Sequence, residues 1–200
     1  MSQQLLFAFV LFALVMSFTP GPNNIMLLSS GVTYGFRRTV PHILGVTFGF
    51  AFMVGAVGIG LGEVFMVYPA LQTILKYLGA AYLIYLAVAI AMSGPVKAGE
   101  GGERRPMTFW GAAIFQWVNA KGWVMVIGTI TAYAAIASFP FNIMIQTVIS
   151  FLMGIGSTVT WTLFGTALRP VLSSERAVRS FNIVMAILLL ASLYPVFMDA

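Results

Sequence analysis

The sequence has no cysteine, one histidine and only five acidic residues. Without cysteine there is no disulfide, no thiol nucleophile and no thiolate metal site, and the redox compartment cannot be read. With a single histidine and scattered acids, a metal cluster or an acid–base pair has no material to draw on. No GxSxG, HExxH or phosphate-cradling motif occurs, which disfavours an enzyme, a membrane-embedded lipid enzyme included. Charge is also scarce. Charged residues make up 8% of the chain, against 60% hydrophobic residues, and the mean hydropathy is +0.97. A soluble domain carries roughly 25% charged residues. This chain cannot cover a water-facing surface, and it reads as an all-α integral membrane protein.

What is present is a series of long apolar runs. Crossing about 30 Å of hydrocarbon takes about 20 apolar residues. Six segments meet that need: 5–33, 43–62, 74–92, 107–137, 141–168 and 181–198. The N-terminal MSQQ has no basic residue, so the first segment is expected to be retained rather than cleaved. Arg37, Arg38, Lys97, Arg104, Arg105, Arg169, Arg176 and Arg179 fall in three alternate loops, whereas the opposite side holds only Lys76. The positive-inside bias places those loops in the cytoplasm and both termini outside. The net charge of +5 is explained by this orientation and not by nucleic acid. Arg169, Arg176 and Arg179 are also suited to lipid phosphates.

The hydrophilic stretch 93–106, SGPVKAGEGGERRP, divides one transmembrane domain (1–200) into halves of about 1–92 and 107–200. Three spans per half makes the second half enter from the opposite side. Each half opens with an apolar segment interrupted partway, first at Thr19-Pro20-Gly21-Pro22-Asn23-Asn24 and again at Asn119-Ala120-Lys121-Gly122. Paired broken helices at matching positions are the pattern of an inverted-repeat transporter with its site between the breaks.

Pro20 and Pro22 remove backbone donors and Gly21 weakens the helix. A helix restarting at Asn23 or Asn24 presents free N–H groups and partial positive charge, which suits a carboxylate. A proline kink is the simpler reading of this stretch alone. The second break adds Gln116, Asn119 and Lys121. A lysine so far inside an apolar segment is costly and faces a cavity or a partner. The two breaks together fit a small zwitterion. A metal ion does not fit, because hard carboxylate or thiolate ligands are missing and Lys121 repels cations; no cofactor is implied.

These residues resemble the lysine exporter / homoserine–threonine exporter (LysE/RhtB-type) family. The resemblance is carried by TPGPNNIMLLSSGVTYGFRR (19–38), LGAAYLIYLAVAIAM (78–92) and FWGAAIFQWVNAKGW (109–123). PGPNN followed by Ser29-Ser30 is similar to the branch exporting cysteine and O-acetylserine. The family pattern at the second break is Asn-Pro-Lys, whereas this chain has Asn119-Ala120-Lys121. The resemblance implies a multi-pass bacterial inner-membrane protein that exports small amino acids in exchange for a proton or another cation. Pro20, Gly21, Pro22, Asn23, Asn24, Asn119 and Lys121 fall on its motifs. Another small solute is the alternative cargo.

Other residues carry further expectations. Glu63 reads as a solvated helix-end charge, and His42 as an interfacial side chain before it is a coupling group. A desolvated lysine can also titrate, which makes Lys121 itself a coupling candidate. The spacings Gly45/Gly49 and Gly58/Gly62 allow close helix approach, within one protomer before between copies of a homo-oligomer. Gly154, Gly156, Thr158, Thr160 and Trp161 are candidates for a cavity wall.

Overall fold

A computed structural model describes residues 2–61, 67–92, 105–172 and 174–194. Glu63 and nearly all of the hydrophilic stretch 93–106 lie outside the described residues. Among the described residues every regular element is helical. Helix α1 spans Gln3–Phe18, α2 Pro22–Tyr34, α3 Phe36–Ala56, α4 Pro69–Ala91, α5 Phe109–Phe115, α6 Ala120–Ala132, α7 Phe141–Leu168 and α8 Glu175–Ala191. A 3₁₀ turn, Gln116–Val118, extends α5.

Among the described residues three stretches are long and apolar enough to cross a membrane: Phe36–Gly60, Thr73–Ala91 and Phe141–Leu168. Helices α1 and α2 pass the same test as one span bent by 50° at its break. Helices α5 (with its 3₁₀ turn) and α6 are shorter apolar pieces. The last expected span, 181–198, overlaps α8 and then leaves the described residues.

Among the helix starts that differ from the sequence reading, two have a visible cause. Arg37 and Arg38 are in the first turn of α3 and not in a loop, because Gly35 alone reverses the chain at φ +76°. That left-handed conformation favours glycine. Helix α8 begins at Glu175, six residues before the apolar run, because the Ser174 hydroxyl accepts from the Ala177 N–H and caps it.

Helix α2 is the centre of the molecule. Every residue from Asn24 to Thr33 is buried. Its Ile25, Met26 and Leu28 join Ala80, Leu83 and Ala87 of α4 and Met185, Ala186 and Leu189 of α8 in one apolar cluster. Leu27, on another face, packs with Ile43 and Val46 of α3, Ala112 of α5 and the Ile155 region of α7.

Small residues permit this density. A Cβ on Gly31 would collide with the Thr162 carbonyl of α7, and one on Gly165 with the Leu28 carbonyl of α2. Gly45 and Gly49 press the backbone of α5 at Phe109 and Ala113, and Gly58 faces Ile143. These described spacings therefore serve contacts inside one protomer; Gly62 lies outside the described residues.

Candidate functional site

Both interruptions are breaks in helical backbone. At the first, Thr19 is extended (φ −62°, ψ 135°) and ends α1, and Gly21 is extended (φ −172°, ψ 179°) and starts α2 with Pro22 in its first turn. At the second, Asn119 is extended (φ −85°, ψ 105°) between the 3₁₀ turn and α6. The missing proline at position 120 does not prevent this break.

The first break leaves donors on one side and acceptors on the other. The first helical bond of α2 is Ile25 N–H to the Gly21 carbonyl at 2.9 Å, and no side chain caps its N-terminus. In an uninterrupted helix, Asn23 and Asn24 N–H would donate to the Thr19 and Pro20 carbonyls. Those carbonyls accept instead from the Lys121 ammonium, at 2.6 and 3.5 Å. Lys121 thus caps the negative end of α1, and the Asn23 and Asn24 N–H groups are left for another acceptor.

The side-chain amides hold the break in shape. Asn24 Nδ2 donates to the carbonyls of Ser17 (2.8 Å) and Thr19 (2.9 Å). Ser157 of α7 donates its hydroxyl to the same Ser17 carbonyl at 2.7 Å. Asn23 and Gln116 exchange two hydrogen bonds, 2.8 and 3.3 Å, and Gln116 also donates to the Ala112 carbonyl at 2.7 Å. Residues 93 positions apart in sequence thereby lock one break to the other.

Gly21, Pro22, Asn23, Asn24, Asn119 and Lys121 all line one pocket. Of the expected site residues, Pro20 and Gln116 do not. Pro20 is exposed and contributes its carbonyl to Lys121, while Gln116 is fully buried behind Asn23. The wall is completed by Val46, Thr47 and Phe50 of α3, Met125 of α6, and Gly154, Ser157 and Thr158 of α7. Gly154 and Thr158 fall where the cavity wall was expected; Gly156, Thr160 and Trp161 do not line it. Thr47 and Ser157 escaped the sequence reading. Ser157 stands in the polar pair Ser157-Thr158 inside an apolar helix, a signal that was available. Thr47 is recognisable only through its partner, Thr158 Oγ1 at 3.2 Å.

The pocket is open on one side and has a cavity volume of about 50 Å³. Its lining contains Lys121 and no acidic side chain, and the first turns of two helices open onto it. The electrostatic balance is positive on that side. Acceptors are also present. Asn119 Oδ1 is buried without a partner, and Thr47 and Thr158 bring hydroxyls to the lining. The lining thus offers hydrogen-bond donors at the helix ends and oxygen acceptors as well. Among the described residues no group of three His, Asp or Glu side chains gathers that would hold a metal.

His42 departs from expectation. It is 1% exposed, packed inside the protein in the second turn of α3. Its Nδ1 lies 3.4 Å from Ser30 Oγ, and its Nε2 has no partner.

The chain is 32% identical over 200 residues to the cysteine/O-acetylserine efflux protein of Escherichia coli O139:H28 (strain E24377A / ETEC), covering 95% of this chain and 96% of that protein. It is 32% identical over 199 residues to the proteins of the same name from Escherichia coli K12 and Shigella sonnei (strain Ss046), covering 94% of this chain and 95% of each relative. No solved structure matches. The model of the LysE type translocators matches residues 14–192, so the chain belongs to the LysE type translocator family, and it is a multi-pass membrane transporter and not an enzyme.

Proposed function

We propose that the protein exports small amino acids or close derivatives, cysteine and O-acetylserine foremost, across the bacterial inner membrane in exchange for protons. The observation that carries this reading is the convergence of two uncapped helix N-termini and Lys121 on a single pocket. The names of the relatives supply the substrate class. The substrate carboxylate accepts from the backbone N–H groups of Asn23 and Asn24 and from the remaining donor of Lys121. Asn119 Oδ1 and the hydroxyls of Thr47 and Thr158 take the ammonium. Pro20, Gly21 and Pro22 keep the helix open, and Gln116 fixes Asn23.

The membrane arrangement belongs to the same proposal. Helices α1 and α2 form one broken span and α5 and α6 another; with α3, α4, α7 and the span begun by α8, six spans result. The halves 1–92 and 107–200 are inverted repeats joined by the cytoplasmic linker 93–106, with both termini outside.

Cells expressing the protein, loaded with amino acids through dipeptides, test the export. The medium is profiled by mass spectrometry beside empty-vector cells and a Lys121→Ala variant of equal abundance. Faster appearance of cysteine or O-acetylserine is expected, reduced at least about tenfold in the variant, the scale of one charge-assisted hydrogen bond. If no amino acid leaves faster than from empty-vector cells, the cargo is a different solute.

A further inference from the structure

His42 is the one ionisable side chain among the described residues that is fully buried. The export reading leaves it without a task. We infer that His42 is the group that carries the exchanged proton, a role that rests on the export reading above.

The placement supports this in three ways. First, His42 lies one helical turn, about 6 Å along the axis, from Val46 of the pocket wall. Ser30, its hydrogen-bond neighbour, lies two turns beyond Asn23 on α2 and on the same face. The histidine therefore sits just beneath the pocket, on the side of the chain that carries Arg37 and Arg38. Second, its Nε2 is buried with no partner. A structural histidine in a membrane core satisfies both ring nitrogens, because an orphan has no water to turn to. A nitrogen that must gain and lose a proton needs a free lone pair in one state.

Third, the surroundings set the sign of the coupling. The ionisable groups on the helices packed against α3 are Tyr34 at the end of α2, Lys121 at the start of α6 and Arg169 at the end of α7; α5 has none, and Arg37 and Arg38 lie on α3 itself. None shares a hydrogen bond or ion pair with His42, and none is a carboxylate. An imidazolium here is uncompensated. Thr47, five residues along α3 from His42, and its partner Thr158 line the pocket, and in the export reading they take the substrate ammonium. Like charges at these two places repel, so an imidazolium and a bound substrate ammonium disfavour one another. Proton and substrate therefore exclude one another. The proton enters on Nε2 from the side to which substrate has just been released, giving imidazolium. It leaves to water on the other side, restoring neutral imidazole, before the next substrate binds. Mutual exclusion of this kind yields exchange and not co-transport.

The test uses the purified full chain in liposomes with labelled cysteine and O-acetylserine. Counterflow, the exchange of labelled for unlabelled substrate without a gradient, needs only the pocket. Uphill accumulation under an imposed pH gradient needs the proton site as well. His42→Gln is expected to retain counterflow within about twofold and to lose gradient-driven accumulation. Wild-type accumulation by His42→Gln overturns the proposal. So does loss of counterflow in both His42→Gln and His42→Asn, which marks the residue as structural. If the wild type itself shows counterflow with neither substrate, the substrate reading fails first and the coupling role falls with it.

Discussion

At the scale of single residues, the site depends on side chains doing the work of absent backbone. The carbonyls that end α1 have lost their helical donors to the break, and Asn24, Ser157 and Lys121 replace them from three different helices. A hydrogen bond contributes about 0.5–1.5 kcal/mol net, and Asn24 makes two, together about 1–3 kcal/mol. Asn24→Ala is therefore expected to lower stability by that amount, measured as a lower melting temperature in detergent. Asn24→Asp discriminates further. It keeps the shape of the side chain but offers only acceptors to the Ser17 and Thr19 carbonyls. It is expected to lower the melting temperature more than alanine does and to abolish export. An Asp variant as stable as wild type would show that the amide does not hold the break.

At the scale of elements, close backbone approach does on the basic side of the molecule what side chains do at the site. Gly31 and Gly165 bring α2 and α7 together with no room for a methyl group. Gly31→Ala is expected to destabilise the protein by about 1–3 kcal/mol, the usual cost of overpacking. Gly154 sits on the same helix α7, but a Cβ there would lie 3.8 Å from Thr47 Cγ2, in ordinary contact. Gly154→Ala should melt like the wild type. Because it reduces pocket space, it should slow export of the larger O-acetylserine more than that of cysteine. Melting curves of the pair, with competition between the two substrates, check both statements.

The element scale also shows what the sequence could and could not reveal. The bounds of α7 match the apolar run 141–168 because Pro140 and Arg169-Pro170 flank it with unambiguous stops. The break at Pro20-Gly21-Pro22 is legible because proline and glycine act on their own backbone. The single-residue turn at Gly35 is not legible, since two arginines at a helix start oppose the dipole and read as a loop. Long-range partners are beyond any local pattern. Nothing near Lys121 announces the Thr19 carbonyl 102 residues away, and nothing near His42 announces burial against Ser30.

At the scale of the whole molecule, packing is unequal on the two sides of the pocket. On the basic side, α2 is buried along nearly its whole length and α5 lies against Gly45 and Gly49 of α3. On the other side, α1 buries only Phe9 and Ala13, and α6 only Gly122, Val126 and Thr129. The two halves of each broken helix thus differ in how firmly they are held. A transporter that opens its sides in turn needs such a difference, since one side is sealed while the other gives access. If the basic side is cytoplasmic, the firmly packed half is the inner seal and the loosely held α1 and α6 flank an outward path. The absence of native cysteine allows a direct measurement, because every introduced thiol reports its own position. Cells carrying Ser138→Cys, in the connection between α6 and α7, are expected to react with a membrane-impermeant maleimide from outside. Arg105→Cys and Glu175→Cys are expected to react only after permeabilisation. Met16→Cys in the pocket wall, next to the loosely packed end of α1, is expected to react from outside and to be protected by saturating substrate. Labelling of Arg105→Cys in intact cells would reverse the orientation. It would also make the firmly packed half the outer seal, with substrate entering past α1 and α6 from the cytoplasm.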